Sequence, residues 1–269
     1  MRNCLAQPLR YGNLVWNLVS RDLKIRYRGS ILGFLWTILN PLFMAVIYIV
    51  FLRLLAGRRA AVRYEDVIIG VFAWQFTVQC VNAGVASVAG NASLVKKVYF
   101  PRLILPLSVC LSGLINFLLT LLVQWALVAA LLAAKGAALP AAALWVPVLS
   151  LYHLLFNFGL ALLVAAANVY FRDTQHVVGL LMSAWFFMTP VMYTLELVRS
   201  VAAGHAWVGG LYLLNPMTGL ITAYRALQTP DAAFPWNGCS LAGLLLPLAL
   251  LAVAVPVFQR AQRNFSDVL

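Results

Sequence analysis

The sequence predicts an all-helical membrane protein with six transmembrane helices, and three observations lead to this prediction. Of the 269 residues, 64% are apolar and only 10% are charged, whereas a soluble domain carries about 25% charged residues. Uncharged apolar runs recur along the chain at the length of about 20 residues that a bilayer crossing requires. The acidic residues all lie outside these runs: Asp22, Glu65, Asp66, Asp173, Glu196, Asp231 and Asp267. We therefore expect residues 1–269 to form one membrane domain.

The first predicted element is an amphipathic helix over residues 8–28. Polar and basic side chains recur there at spacings of three and four residues, which places them on one helix face: Arg10, Asn13, Asn17, Arg21, Lys24 and Arg28. Apolar side chains fill the opposite face: Leu14, Val15, Leu18 and Val19. Such a helix lies in the plane of the membrane interface. It serves either as an anchor on anionic lipid or as a docking element for a partner.

Six apolar segments are predicted to cross the membrane, at about 32–55, 67–89, 104–134, 142–168, 175–194 and 239–259. The first contains Asn40 and Pro41, and the proline predicts a kink because it removes a backbone hydrogen bond. Asn40 is a candidate to satisfy the freed backbone group, and the kink either opens a cavity or improves packing. Gly209-Gly210 and Asn215-Pro216 interrupt the region 196–228, so short re-entrant or external helices are predicted there.

The basic residues predict the orientation of the chain. With six crossings, the N-terminal region, the tail and two loops on their side carry twelve Lys and Arg residues, and the opposite loops carry seven. Because positive charge favours the cytoplasmic side, both termini are predicted to be cytoplasmic. The basic residues behind the net charge of +12 are thus concentrated on the predicted cytoplasmic side of the membrane. We therefore expect contact with anionic lipid and none with nucleic acid.

No signature of bond chemistry is present in the sequence. There is no phosphate-binding GxxxxGK[ST] loop, no GxSxG nucleophile turn and no HExxH zinc motif, and the four cysteines lack metal-ligand spacing. Transporters driven by protons or sodium usually keep an ionisable residue at mid-membrane, where His153 is the only candidate. We therefore expect no catalytic, cofactor or metal site, and any uphill transport would draw its energy from another subunit.

Five stretches carry a family resemblance: YRGSILGFLWTILNPL (27–42), LVKKVYFPRLILPLS (94–108), NVYFRD (168–173), FFMTPVMYTLELV (186–198) and LNPMTGLITAYRALQ (214–228). In order and spacing they resemble the permease subunits of type-2 ABC exporters of surface polysaccharides, the O-antigen and capsule group. The resemblance implies a homodimer in the bacterial inner membrane that exports a lipid-linked polysaccharide. It also implies two copies of a cytoplasmic subunit that binds ATP and magnesium. The alternatives are a permease of the same architecture for a drug or small amphiphile, a secondary transporter, and a scaffold without transport.

The resemblance assigns the second of these stretches to the helix that couples the permease to its ATPase. The residues concerned are Leu94, Val95, Lys96, Lys97, Val98, Tyr99, Phe100, Pro101 and Arg102. Four apolar side chains are expected to fill a groove on the partner (Leu94, Val95, Val98 and Phe100), and Pro101 is expected to end the helix. The alternative is an interfacial loop whose lysines bind lipid phosphates.

Two further groups of residues are candidates for contact with the substrate. Basic residues could attract the phosphates of a lipid-linked substrate, although anionic phospholipid would account for them equally: Arg21, Lys24, Arg26 and Arg28. Aromatic rings stack on sugars, and the candidates for a pore or gate are Trp36, Tyr48, Phe72, Trp185, Phe186, Phe187 and Tyr193. Near span ends, the ordinary interfacial belt of aromatic residues is an equally good interpretation for Trp36, Trp74 and Tyr193.

Overall fold

The computed structural model describes residues 11–27, 29, 32–33, 35–56, 63–201 and 206–269. Over these ranges the chain forms helices and no strand, so the predicted all-helical class is confirmed. Five helical segments of the described ranges are long and apolar enough to cross a membrane. They comprise α2 (Leu35–Ala56), α3 (Tyr64–Ala89), α5 (Ile104–Ala133), α6 (Val146–Tyr170) with the 3-10 turn Ala141–Trp145 before it, and α11 (Gly238–Ala261).

The predicted span over 175–194 is shorter in the structure. Helix α7 (Thr174–Phe187) has 14 residues, about 21 Å at 1.5 Å per residue, and the hydrocarbon core of a bilayer measures about 30 Å. Residues 188–194 form turns, because Pro190 lacks an amide hydrogen and disfavours helical geometry at the residue before it. A sixth full-length spanning helix is therefore not confirmed.

Short helices occupy the region 196–228, as the interrupted pattern predicts. They are α8 (Leu195–Val201), α9 (Ala206–Leu214) and α10 (Pro216–Gln228). The Asn215-Pro216 pair is a helix start: Pro216 occupies the first turn, and the Asn215 side chain accepts a hydrogen bond from the Met217 amide at 3.1 Å.

Helix α3 is the centre of the bundle, with α5 and α6 packed against it. At the crossing with α6, a Cβ on Gly84 would lie 2.8 Å from the Cβ of Ala161, so this pair of small residues permits close helix contact. Helix α11 in turn packs along α6. Helix α2 is peripheral and exposes a row of large apolar side chains: Phe43, Met44, Val46, Ile47, Val50, Phe51 and Leu54.

Helix α1 (Gly12–Tyr27) precedes the bundle and packs against α5. Leu18 and Val19, on its predicted apolar face, are buried, while residues 8–10 and Arg28 lie outside the described residues. The placement of α1 in the membrane interface stays a prediction. The chain then turns through Gly29 and Gly33, whose φ angles of 77° and 46° favour glycine.

The predicted kink site lies in the first spanning helix. α2 continues as one helix through Pro41, which is buried, while the Asn40 side chain is exposed. Its predicted role as a partner for a freed backbone group therefore stays a prediction.

Candidate functional site

Five aromatic side chains from α2, α3 and α7 meet in one cluster: Tyr48, Trp74, Trp185, Phe186 and Phe187. Ring centroids lie 5.2 Å apart for Tyr48 and Phe186, and 5.6 Å apart for Trp74 with either Trp185 or Phe186. Phe186 and Phe187 meet edge to face at 5.3 Å. These separations are typical of favourable aromatic pairs. We refer to the five residues as the aromatic cluster.

A cavity of about 350 Å³ opens beside the aromatic cluster, between α3 and the two helices α2 and α7. Four members of the cluster line it, together with the polar side chains of Gln75, Asn82 and Ser183. Aromatic faces bind the C–H groups of a sugar ring, and amide and hydroxyl groups offer donors and acceptors to its hydroxyls. The lining is therefore chemically suited to a saccharide.

The structure separates the remaining predicted aromatic residues from this cavity. Phe72 is 2% exposed and lies with Phe117 around a different, very small cavity, so it is a core residue of this chain and its role in a pore stays a prediction. Trp36 is half exposed at the start of α2. Tyr193 follows α7, and its hydroxyl donates to the Phe187 carbonyl at 2.8 Å. Trp74, which the sequence equally allowed in an interfacial belt, is 5% exposed and belongs to the aromatic cluster.

Asn215 holds the aromatic cluster against α10. Its Oδ1 accepts a hydrogen bond from Trp185 Nε1 at 3.1 Å, and its Nδ2 donates to Thr189 Oγ1 at 2.9 Å. The same Oδ1 caps the first turn of α10. One amide thus fixes the end of α7, the turn after it and the start of α10. Sequence reasoning treated Asn215 only as a helix interruption.

Arg225 of α10 fixes the same turn from the other side. Its guanidinium donates to the carbonyl oxygens of Asp66 at 3.0 and 3.1 Å, Val191 at 2.8 Å and Tyr193 at 3.0 Å. α10 is not among the spanning helices, and burial lowers the pKa of Arg225 to about 10, which leaves it charged at neutral pH. The sequence shows Arg225 as one basic residue among several, and no pattern singled it out.

Ion pairs lie at the start of α3, where Arg225 binds the Asp66 carbonyl. Arg63 Nε lies 3.0 Å from Asp66 Oδ2, and Lys135 Nζ lies 2.7 Å from Glu65 Oε1. The two carboxylates are in the first turn of α3, where the helix dipole favours negative charge. Ion pairs therefore link the start of α3 to Arg63 before it and to Lys135 after α5. Arg58 and Arg59, which precede Arg63 in the sequence, lie outside the described residues.

The segment assigned to ATPase coupling differs from the prediction in two respects. α4 (Ala92–Lys97) ends four residues before Pro101, because Val98 is already extended at φ −127° and ψ 134°. Val95 and Phe100 are buried in the apolar core of this chain and are not free to fill a groove on a partner. Val98 is half exposed and Tyr99 fully exposed, so the accessible apolar surface consists of these two residues with the partly exposed Leu94.

Charged residues frame the coupling segment, which we define as residues 92–102. Lys96 and Lys97 are exposed, and Arg102 donates a hydrogen bond to the Gln262 carbonyl. A cavity of about 750 Å³ lies between this segment, Tyr11 and the residues that follow α11. Its charged lining residues are all basic: Lys96, Lys97, Arg102 and Arg263.

The basic residues predicted to attract the substrate have different surroundings in α1. Arg21 pairs with the neighbouring Asp22 at 3.1 Å, and Arg26 Nη1 donates to Gln79 Oε1 of α3 at 3.1 Å. Lys24 is exposed, and Arg28 lies outside the described residues. Two of the three described side chains are thus engaged with separate partners within the chain.

Comparison with known proteins gives a family match and three relatives. A family model described as "ABC-2 type transporter" matches residues 13–229, from α1 to the residue after α10. An "O-antigen export system permease protein RfbA" of Myxococcus xanthus is 33% identical over 275 residues, which cover 99% of both chains. Two proteins of Klebsiella pneumoniae with the same name are 27% and 26% identical over 253 residues, which cover 94% of this chain and 93% of theirs.

Proposed function

Because the chain belongs to the ABC-2 type transporter family, we propose that it is the membrane subunit of an ATP-driven exporter of a polysaccharide such as O-antigen. The names of relatives that align over nearly the whole chain support this substrate class. The observation that carries the proposal within the chain is the cavity beside the aromatic cluster, which combines four aromatic rings with amide and hydroxyl groups.

A polymer that passes through a membrane requires contacts that are repeated and weak. Aromatic faces meet this requirement because stacking on C–H groups has little angular preference around a sugar ring. Phe187 is 66% exposed at the edge of the cavity, where it can meet successive sugar units. The chain itself makes and breaks no bonds in this function.

The driving force comes from an ATP-binding subunit, which binds ATP and magnesium and docks on the coupling segment. The exposed pair Val98 and Tyr99 would insert into that subunit, and Lys96 and Lys97 would orient it through charge. Two copies of the subunit would serve two copies of this chain.

The second copy of the chain would close the substrate path. α2 and α7 flank the cavity and expose apolar side chains on their outer surfaces, among them Phe43, Ile47, Val50, Leu180 and Leu181. Pairing of these surfaces in a homodimer would bury them and enclose the cavity from both sides. The exported polymer would be attached to a lipid whose phosphates approach α1, where Lys24 is exposed.

The proposed arrangement keeps six crossings of the bacterial inner membrane with both termini in the cytoplasm. The fifth crossing would consist of α7 and the turn 188–194, and Arg225 would hold its outer end. The backbone of this turn is satisfied from within the protein, because Arg225 binds the Val191 and Tyr193 carbonyls and Asn215 binds the Met188 carbonyl. Irregular backbone is tolerated at membrane depth under this condition.

The test is ATP hydrolysis by the permease purified with the ATPase encoded beside it and reconstituted in lipid nanodiscs. Addition of lipid-linked O-antigen should raise the rate, while the same lipid without the polymer should have a smaller effect. The alternative function, export of a drug or small amphiphile, predicts stimulation by hydrophobic cations and no response to the polymer. The second result would refute the proposal.

A further inference from the structure

Side chains from the end of α6 and from the coupling segment bind carbonyl groups of Ala261, the last residue of α11, and of Gln262, the residue after it. The Tyr170 hydroxyl donates to the Ala261 carbonyl at 2.8 Å, and Arg102 Nη1 donates to the Gln262 carbonyl. Carbonyl groups at a helix C-terminus lack partners within the helix, and donor side chains can satisfy them. These bonds join the coupling segment and the end of α6 to one turn of α11.

Phe265 fastens the residues after α11 to the same region. It begins the terminal helix α12 (Phe265–Val268) and is completely buried. Its ring lies 6.0 Å from that of Tyr170 and 5.5 Å from that of Phe258. It shares one apolar cluster with Val95 and Phe100 of the coupling segment. The segment is therefore supported from inside by the end of the chain.

The outward side of this assembly has a defined shape and charge. Val98 and Tyr99 protrude between Val95 and Phe100, which are both buried. The adjacent cavity of about 750 Å³ reaches from the coupling segment to Arg263, and its charged lining residues are all basic. A fixed protrusion beside a basic depression suits a protein surface that offers an apolar pocket with carboxylates around it. A fluid lipid surface has no matching shape.

We propose that residues 262–269 and the coupling segment form one composite docking surface for the ATP-binding subunit, with Tyr170 and Phe265 as positioning residues. This inference rests on the proposed function. Because the coupling segment is bonded to the end of α11, and α11 packs along α6, movement of the bound subunit reaches both spanning helices without a flexible linker. The C-terminal residues thereby take part in energy coupling.

The test measures the affinity of the ATP-binding subunit for the full-length permease in nanodiscs. Phe265→Ala should weaken binding about tenfold, because the coupling segment loses the buried ring that supports it from inside. Val257→Ala is the control, because Val257 is half exposed in α11 and lies outside the proposed surface, and it should bind as the unaltered chain does. Equal affinity for Phe265→Ala would overturn the inference.

A second variant covers the case in which Phe265→Ala does not insert. Tyr170→Phe keeps the ring against Phe265 and removes only the hydrogen bond to Ala261. It should reduce the amount of polymer exported per ATP hydrolysed, and unchanged coupling would contradict the inference. The other possible occupant of the basic cavity is an anionic lipid headgroup. Affinity for the ATP-binding subunit is therefore measured in nanodiscs of phosphatidylcholine alone and of phosphatidylcholine with added phosphatidylglycerol. If Phe265→Ala lowers this affinity only in the anionic lipid, the cavity binds lipid headgroups and the proposal is refuted.

Tyr99→Ala separates this inference from the proposed function. Loss of the subunit in Tyr99→Ala, with normal binding in Phe265→Ala and normal coupling in Tyr170→Phe, would refute the composite surface and leave the proposed function intact. Normal binding in Tyr99→Ala as well would also refute the coupling segment as the docking site.

Discussion

Trp185 donates its indole N–H to Asn215 Oδ1 at 3.1 Å, which links the aromatic cluster to the start of α10. The link fixes one ring of the cluster, whereas Phe187 at the cavity edge is 66% exposed. Trp185 packs edge to face on Trp74, which lines the cavity, so the cavity combines a wall supported from behind with an accessible edge. Such a wall keeps its shape while a polymer moves past it, and this consideration leads to the first two predictions.

Asn215→Ala should destabilise the protein and reduce export together. It removes the cap of α10 and the bonds to Trp185 and Thr189, and loss of an N-cap alone costs about 1 kcal/mol. Thermal unfolding of the purified protein and polymer at the cell surface are the measurements. The control is Asn237→Ala, which removes the cap of α11 far from the aromatic cluster along the chain and should lower stability alone. Equal export by the two variants would contradict the role of Asn215 at the cavity.

Replacement of Phe186 and Phe187 by Ala should reduce the polymer at the cell surface while the protein remains in the membrane. The two rings line the cavity, and their removal takes away faces on which sugars can stack. Surface polymer and permease abundance are measured in the same cells. Trp236→Ala serves as the control, since this ring is 76% exposed in the loop before α11. Normal export by the double variant would refute the transport role of the aromatic cluster.

Arg225→Lys should lower the stability of the protein although it keeps the charge. The guanidinium reaches three carbonyl groups at once, and an ammonium group lacks this planar arrangement of donors. Each buried carbonyl that loses its partner costs about 1–3 kcal/mol. The midpoint of thermal unfolding should fall clearly, and that of the control Arg260→Lys, at an exposed position, should not. Equal midpoints would show that Arg225 does not stabilise the turn 188–194.

The helical class and the locations of the long apolar helices could be predicted because lipid solvent demands long uncharged runs, which composition reveals directly. The early end of α7 could not be placed so well, since apolarity continues past Pro190 while the backbone leaves the helix. The roles of Asn215 and Arg225 could not be predicted, because they depend on hydrogen bonds to carbonyl and side-chain groups that are distant in sequence. Val95 and Phe100 illustrate the same limit: an apolar pattern does not distinguish a side chain that fills its own core from one that fills a partner.

Reporter fusions provide a test of the fifth crossing. Fusions after Asp173 and Asp231 should report opposite sides of the membrane, and a fusion after Leu269 should report the same side as Asp173. The prediction depends on whether α7, at about 21 Å, crosses together with the turn 188–194. Asp173 precedes α7 and Asp231 follows α10, so the two fusions flank only the region from α7 to α10 and no other predicted crossing lies between them.

If Asp173 and Asp231 report the same side, α7 enters and leaves the membrane on one face. The chain then has five crossings and its termini lie on opposite sides. The positive charge that favours a cytoplasmic tail, Arg260 and Arg263, argues for the six-crossing result.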